Sequence, residues 1–122
     1  MNTTALAPID ELHGRNPGAL RLAVLLSPAA RIEPALLRRV RLSLGEDVAA
    51  EADLWFSDLV EVRNSRGIVL AAEVAEALRP QLLREAAPLR RTVRELMAGL
   101  HRDTPWSQRL EEAIRWALVE DD

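Results

Sequence analysis

Apolar residues recur three and four positions apart along most of the chain after residue 17, which is the spacing of one face of an α-helix. The stretch GALRLAVLLS, between Pro17 and Pro28, is apolar almost throughout and is long enough for about three helical turns, although a buried strand stays an alternative for so short a run. The stretch EPALLRRVRLSLG predicts a firmer helix, because Pro34 lies in its first turn and Gly45 can cap its end. Its apolar positions are Leu36, Leu37, Val40 and Leu44.

Residues 46 to 59 predict a further helix with one apolar side and one acidic side. The apolar residues within about 100° of one another are Val48, Ala52, Trp55, Phe56 and Leu59. The acids on the opposite side are Glu46, Asp47, Glu51, Asp53 and Asp58. This phase directs Trp55 and Phe56 into the core and leaves Leu54 outside, among the carboxylates.

Three more helical patterns follow. The first carries Val74, Leu78, Leu82 and Leu83, and Pro80 is expected to kink or break it near Arg79. The second carries the stripe Leu89, Val93, Leu96, Met97 and Leu100. The last begins near Pro105 and places on one face Trp106, Leu110, Ala113, Ile114 and Ala117.

Two segments lack this pattern. Residues 1 to 16 show no periodicity and predict an extended N-terminal arm, which could dock against the domain or a neighbouring subunit. In VEVRNSRGIVL, Val60 and Val62 alternate with charges before a polar turn, so residues 60 to 70 favour either a short β-hairpin or an ordered loop. We therefore expect an all-α fold: a compact bundle of five or six helices over residues 17 to 120, with one hairpin as the only candidate β-structure.

Composition narrows the class of protein. The 122 residues fit one domain, and the absence of Cys excludes disulfides, thiolate metal sites and cysteine nucleophiles. All sixteen basic residues are Arg, and the net charge of −3 makes the chain as a whole a poor counterion for nucleic acid. No apolar run is long enough to span a bilayer and the start does not resemble a signal peptide, so a cytoplasmic location without membrane contact is expected.

The residues that could carry chemistry are few. His13 lies in the predicted arm, and His101 near the end of a helix is expected to interact with the helix dipole and the last carbonyls. The serines lie in no nucleophile motif, and the five glycines are too scattered for a phosphate loop. The sequence thus predicts no enzyme, no catalytic residue, no cofactor and no metal ligand.

Two charged clusters and two apolar residues are the candidates for a binding surface. Six carboxylates between residues 46 and 61, with no basic residue among them, could form a solvated helix face, a protein-binding patch or a metal site. An arginine cluster comprises Arg79, Arg84, Arg90, Arg91 and Arg94; it could pair with the acids within one molecule or between molecules. Leu54 and Trp116 are the candidate apolar anchors, although Trp116 could equally cover the edge of its own domain. The predicted partner-binding residues are Leu54, Asp53, Asp58, Trp116, Arg90, Arg91 and Arg94.

The segments EADLWFSDLV, RGIVL, EVAEALR and RLEEAIRWALVED give the chain, over residues 18 to 120, a resemblance to a helical module of multidomain bacterial proteins in conflict or signalling systems. In those proteins the module accompanies domains similar to formylglycine-generating enzymes, von Willebrand A domains, MoxR-associated proteins or proteases. The resemblance implies a non-enzymatic adaptor that binds an effector, sensor or ATPase, or a further copy of itself. The alternative is a nucleic-acid-binding regulator of the winged-helix type, using Arg63, Arg66 and the face from Arg90 to Arg94.

Overall fold

A computed structural model describes residues 3 to 120 of the chain. Within that range the structure contains seven helices and one hairpin. These are α1 (Thr3–Arg15), α2 (Pro17–Leu26), α3 (Pro34–Leu44), α4 (Val48–Trp55), β1 (Val60–Asn64), β2 (Gly67–Leu70), α5 (Ala72–Arg84), α6 (Ala87–Leu100) and α7 (Trp106–Val119). The expected bundle of helices with a hairpin is confirmed in this form, with seven helices instead of five or six.

The central element is α2, which is a helix as the first of the two alternatives predicted. Asn16 caps it by accepting a hydrogen bond from the backbone N–H of Ala19 at 3.3 Å, and Pro17 occupies its first turn. Seven of its ten residues are buried. It packs against α1, α3, α4, α5 and α6, so its apolar sequence is covered on all sides.

The predicted extended conformation of residues 1 to 16 is wrong for the part of the segment that the structure describes. Residues 3 to 15 form α1, which packs against α2 and α5, while residues 1 and 2 lie outside the described range. Ala5, Ile9 and Leu12 are buried at a spacing of four and three residues. The helical signal was therefore present, but it comprises only three buried positions, with Pro8 between the first two and the acids Asp10 and Glu11 between the last two.

The hairpin over residues 60 to 70 is confirmed. β1 and β2 are antiparallel and pair Asn64 with Gly67 across the turn, with an irregularity between Val60 and Val62. Ile32 extends the pairing on the other side of β2 through two hydrogen bonds with Ile68, of 2.8 and 3.0 Å. Gly67 is required here, because its φ is +148° and a Cβ atom would lie 2.4 Å from the carbonyl oxygen of Ile32.

The pair α3 and α4 forms a helix-turn-helix with a three-residue connection. Gly45 ends α3 in the left-handed conformation, as its position predicted, and Asp47 caps α4 by accepting from Ala50 N at 3.2 Å.

The predicted phase of α4 is wrong for Leu54, Val48 and Phe56, whereas Leu59 after the helix is buried as predicted and Trp55 is partly buried against the core. Ala50 and Leu54 are its buried residues, whereas Phe56 follows the last turn and is 71% exposed. Leu54 is 0% exposed, so it belongs to the core and cannot serve as a surface anchor.

The last three helices lie where the sequence predicted them, but the face that is buried is not always the predicted one. α5 continues through Pro80 to Arg84, so Pro80 does not break it. Val74, Leu78 and Leu82 are buried as expected, whereas Leu83 is 49% exposed. α6 buries Val93 and Met97. On α7 the buried residues are Glu112, Trp116 and Val119. Trp116 is 2% exposed, so it covers its own domain and the prediction of a partner-binding Trp116 is corrected.

The phase of α4 can be tested by comparing two neighbouring positions. We expect Leu54→Ala to lower the free energy of unfolding by about 2 to 5 kcal/mol, because it leaves a cavity beside α2. Phe56→Ala should cost less than about 1 kcal/mol, because its ring is largely in solvent. Urea denaturation of both variants measures the difference, and equal losses at the two positions would contradict the observed phase.

Candidate functional site

The outer face of α7 consists of Trp106, Leu110, Ala113, Ile114, Ala117 and Leu118. At 100° per residue these six positions span an arc of about 140° that contains no charged residue and one polar residue, the exposed Ser107. The four large side chains are exposed by 68%, 41%, 53% and 52% in chain order, and both alanines are exposed. The sequence correctly placed five of the six on one face, but this face is directed away from the domain.

The opposite side of α7 is held by a buried charged group that we name the His101 clasp, formed by His101, Glu112 and Glu33. His101 ends α6, and its ring lies with Nδ1 2.8 Å from the Glu112 carboxylate and Nε2 2.6 Å from Glu33 Oε1. Glu112 also accepts a hydrogen bond from Ala30 N at 2.7 Å. The clasp therefore ties α7 to the end of α6 and to the connection between α2 and α3.

The clasp fixes the charge of His101. Burial by itself lowers the pKa of the imidazole, but the hydrogen bonds and negative charges of Glu112 and Glu33 outweigh it and raise the pKa to about 9. At neutral pH the imidazolium therefore donates from both nitrogens. An imidazolium in this position has no free nitrogen with which to accept a proton, so the arrangement stabilises the fold and does not supply a general base.

Two further contacts seat α7 in the same orientation. The indole N–H of Trp116 points to Met97 Sδ at 3.4 Å, and the guanidinium of Arg115 donates to the carbonyl of Ala29 at 3.1 Å. Sequence reasoning gave His101 a role at a helix end and did not single out Glu33 or Glu112. The available signal was Glu112 beside Trp116 on the narrower apolar side of α7, where a buried acid needs a partner.

Most of the acidic run is used within the chain. Asp47 caps α4, and Glu51 forms an ion pair with Arg41. Asp53 accepts a hydrogen bond from Asn16 Nδ2 at 2.9 Å. The carboxylate of Glu46 lies against Gly18 in the first turn of α2, where the partial positive charge of the helix end favours it. Of the two acids predicted to bind a partner, Asp53 has this internal partner and Asp58 is exposed.

The arginine cluster is not the partner of these acids. Arg90 donates to the carbonyls of Leu83, at 3.2 Å, and Glu85, so it caps the end of α5. Arg94 pairs with Glu120 at 2.6 Å. Arg91 is exposed. Over residues 3 to 120, no hydrogen bond or ion pair joins the five arginines of the cluster to the acidic run.

A second apolar surface lies on the helix-turn-helix. An open cleft between α3 and α4 is lined by Pro34, Leu37, Val48, Glu51, Ala52, Trp55 and Phe56. Arg63 from β1 covers the end of α4: it donates to the carbonyl of Trp55 at 2.7 Å, and its guanidinium lies 5.7 Å from the centre of the Phe56 ring. Arg63 is thus occupied within the domain, and α4 itself carries acidic residues and no basic residue.

Comparisons with known protein families, with curated proteins and with solved structures gave no match. Among residues 3 to 120, no group of three or more metal-ligating side chains is close enough to hold an ion. In the same range, no helix is both long and apolar enough to cross a bilayer.

The raised pKa of His101 predicts a pH dependence of stability. Because the folded protein binds this proton more tightly than the unfolded chain, the stabilisation is complete below about pH 6.5 and is lost as the pH rises through about 9. The loss should be on the order of 3 kcal/mol, measured as the free energy of unfolding in urea between these pH values.

The control uses the other histidine of the chain. His101→Gln should remove most of this pH dependence, whereas His13→Gln should leave it unchanged, because His13 is exposed on α1. A wild-type profile that is flat or rises from pH 6.5 to 9 would show that the clasp is not charged.

Proposed function

We propose that this protein is a non-enzymatic interaction module, an adaptor that binds a protein through the outer face of α7. The observation that carries the proposal is the exposure of Trp106, Leu110, Ile114 and Leu118 in one uncharged arc on a helix whose other side is anchored in the domain. Contiguous exposed apolar surface of this kind is typical of a binding site on a soluble domain.

The chemistry of the face favours a protein partner. An indole with aliphatic neighbours provides a large contact area with few rotatable bonds, as is common at the centre of protein interfaces. The border of the arc carries both signs of charge, Arg109 on one side and Glu111 on the other. A helix that lies on a membrane has instead a border rich in basic residues, which attracts anionic lipids.

This proposal changes the residues assigned to binding. Trp106 and Ile114 take the place of Leu54 and Trp116, which are buried. Arg91 lies at the surface near Glu120 at the end of α7 and is a candidate for the polar rim, whereas Asp58 is exposed beside α1 and Phe56. A role in a bacterial regulatory or defence system rests on the resemblance of the sequence segments and is part of the proposal.

Site-specific cross-linking tests the outer face. With a photoreactive phenylalanine analogue at Ile114, we expect ultraviolet light to produce a covalent adduct with a protein in the native bacterial cell. The same analogue at Leu42, which is 60% exposed on α3, is the control and should give none. Adducts at both positions, or at neither, would contradict a specific role for α7.

A folding control separates binding from stability. Because Ile114 is directed away from the domain, Ile114→Ser should change the free energy of unfolding by no more than about 0.5 kcal/mol. When the photoreactive analogue replaces Trp106, we expect a covalent adduct with the partner. Adding Ile114→Ser to that variant should abolish this adduct. A loss of several kcal/mol would instead mean that the outer face supports the fold.

The second candidate function is nucleic-acid binding, which the order of elements favours. A strand residue, two helices joined by a turn and then a hairpin follow one another from Ile32 to Leu70, and β2 pairs with both β1 and Ile32. Helix-turn-helix domains with a hairpin use the second helix to enter the major groove. Here that helix is α4, whose Glu51 and Asp53 would face the phosphates unfavourably.

Retention on duplex DNA at increasing salt separates the two functions. We expect no retention at physiological salt, because α4 is acidic and Arg63 is occupied. Salt-sensitive binding that Arg66→Glu, or the pair Arg90→Glu and Arg94→Glu, abolishes would establish the nucleic-acid alternative as the main function. Arg15→Glu, on the exposed side of α1, is the matched control.

A further inference from the structure

We propose that the outer face of α7 binds the same face of a second copy of this chain, with the two α7 helices antiparallel about a two-fold axis. This inference rests on the proposed function and names the partner. The axis passes near the middle of the helix, between Leu110 and Ile114. Each Trp106 then lies opposite Leu118 of the partner subunit.

The outer face of α7 is complementary to itself. A two-fold interface uses the same patch twice, so any charge on it can meet its own copy. The outer face of α7 contains no charged residue, and therefore nothing in it repels a second copy. In the antiparallel arrangement the bulky Trp106 faces the smaller Leu118 at each end of the contact, and Leu110 faces Ile114, of equal volume, in the middle, so that no two indole rings meet.

Charged residues of both signs follow the edge of the arc next to Leu118. Glu111 lies about 20° beyond Leu118, and Arg115 lies about 40° further round, towards the domain, where it also donates to the carbonyl of Ala29. When two α7 helices pack antiparallel, this edge meets itself, and each Glu111 lies at nearly the same level along the helix as the long side chain of Arg115 of the partner subunit. Within one chain the two side chains are only 3.5 Å apart and partly exposed, so the carboxylate can accept from a second arginine.

The outer face of α7 is large enough for a small interface. The six side chains offer roughly 500 Å² for burial in each copy, so that a dimer would bury about 1,000 Å² in total. This area is at the lower limit for a specific interface, which is the size range of weak and transient complexes. The cleft between α3 and α4 is lined by no residue of α7, so that surface stays free in the dimer.

Sedimentation equilibrium on the full chain, from about 1 to about 300 µM, tests the pairing. We expect a monomer–dimer equilibrium that Ile114→Glu weakens at least about tenfold. Leu42→Glu places the same charge at an exposed leucine on α3 and should leave the equilibrium unchanged. A wild-type monomer over the whole range, or equal effects of the two substitutions, would overturn the proposal.

The orientation can be read by cysteine cross-linking, because the chain has no cysteine of its own. A disulfide requires two Cα atoms within about 7 Å. Trp106→Cys mixed with Leu118→Cys should therefore form a covalent dimer on mild oxidation, and neither variant should do so alone. A dimer of Trp106→Cys with itself would indicate parallel helices and would overturn the antiparallel arrangement.

The oligomeric state and the identity of the cross-linked protein together distinguish a failure of self-pairing from a failure of the adaptor function. If the protein is monomeric but the analogue at Ile114 traps a different protein in the cell, the self-pairing is wrong and the adaptor function stands. If the protein is monomeric and the analogue traps nothing, both fail. If the variant with the analogue at Trp106 gives a covalent adduct of twice the mass of this chain, and the same variant with Ile114→Glu gives none, both proposals are supported.

Discussion

A helix of ten residues that buries seven of its side chains needs neighbours on every side, and five other helices supply them for α2. The N-terminal segment becomes a helix in this context because Ala5, Ile9 and Leu12 can cover one side of α2. α4 approaches another side through Ala50 and Leu54, where the small alanine permits close packing. Much of the phase of these helices is thus decided by what α2 must bury.

The His101 clasp fixes the one helix that packs least on this centre. Glu112 and Trp116 both turn inward on α7, although burial of a carboxylate is unfavourable by itself. The imidazolium of His101 and the N–H of Ala30 compensate for that burial, and Trp116 adds an apolar contact with Met97. With this side anchored, the wider apolar arc of α7 has no place in the core. The buried salt bridge therefore creates the exposed surface.

The proposed adaptor function does not depend on the charged groups that the fold itself uses. His101 lies between two carboxylates, Glu51 pairs with Arg41, and Arg63 binds the end of α4. The helix-turn-helix and hairpin have the order of a nucleic-acid-binding domain, but the second helix has acidic and apolar residues in place of basic ones. A surface of that composition suits a protein partner, and a dimer through α7 would present two such surfaces.

Much of the secondary structure followed from the sequence alone, because it depends on local signals. Proline in the first turn, glycine at the C-terminal cap and apolar spacing located α2, α3, α5, α6 and α7, and the NSRG turn located the hairpin. The arm at the N-terminus was misread, since three buried positions among polar residues give a weak pattern until α2 is there to receive them.

What only the tertiary structure decided is which face of an amphipathic helix is buried. α4 has Ala50 and Leu54 on one side and Val48, Ala52 and Phe56 on another, and α7 has a narrow face with Trp116 and a broad one with Trp106. Periodicity favours the broader face in both helices. The narrower face is buried because it fits its neighbours: α2 for Leu54, and His101 with Met97 for Glu112 and Trp116. Which face is buried depends on residues distant in sequence, and the spacing of apolar residues along one helix carries no information about those residues.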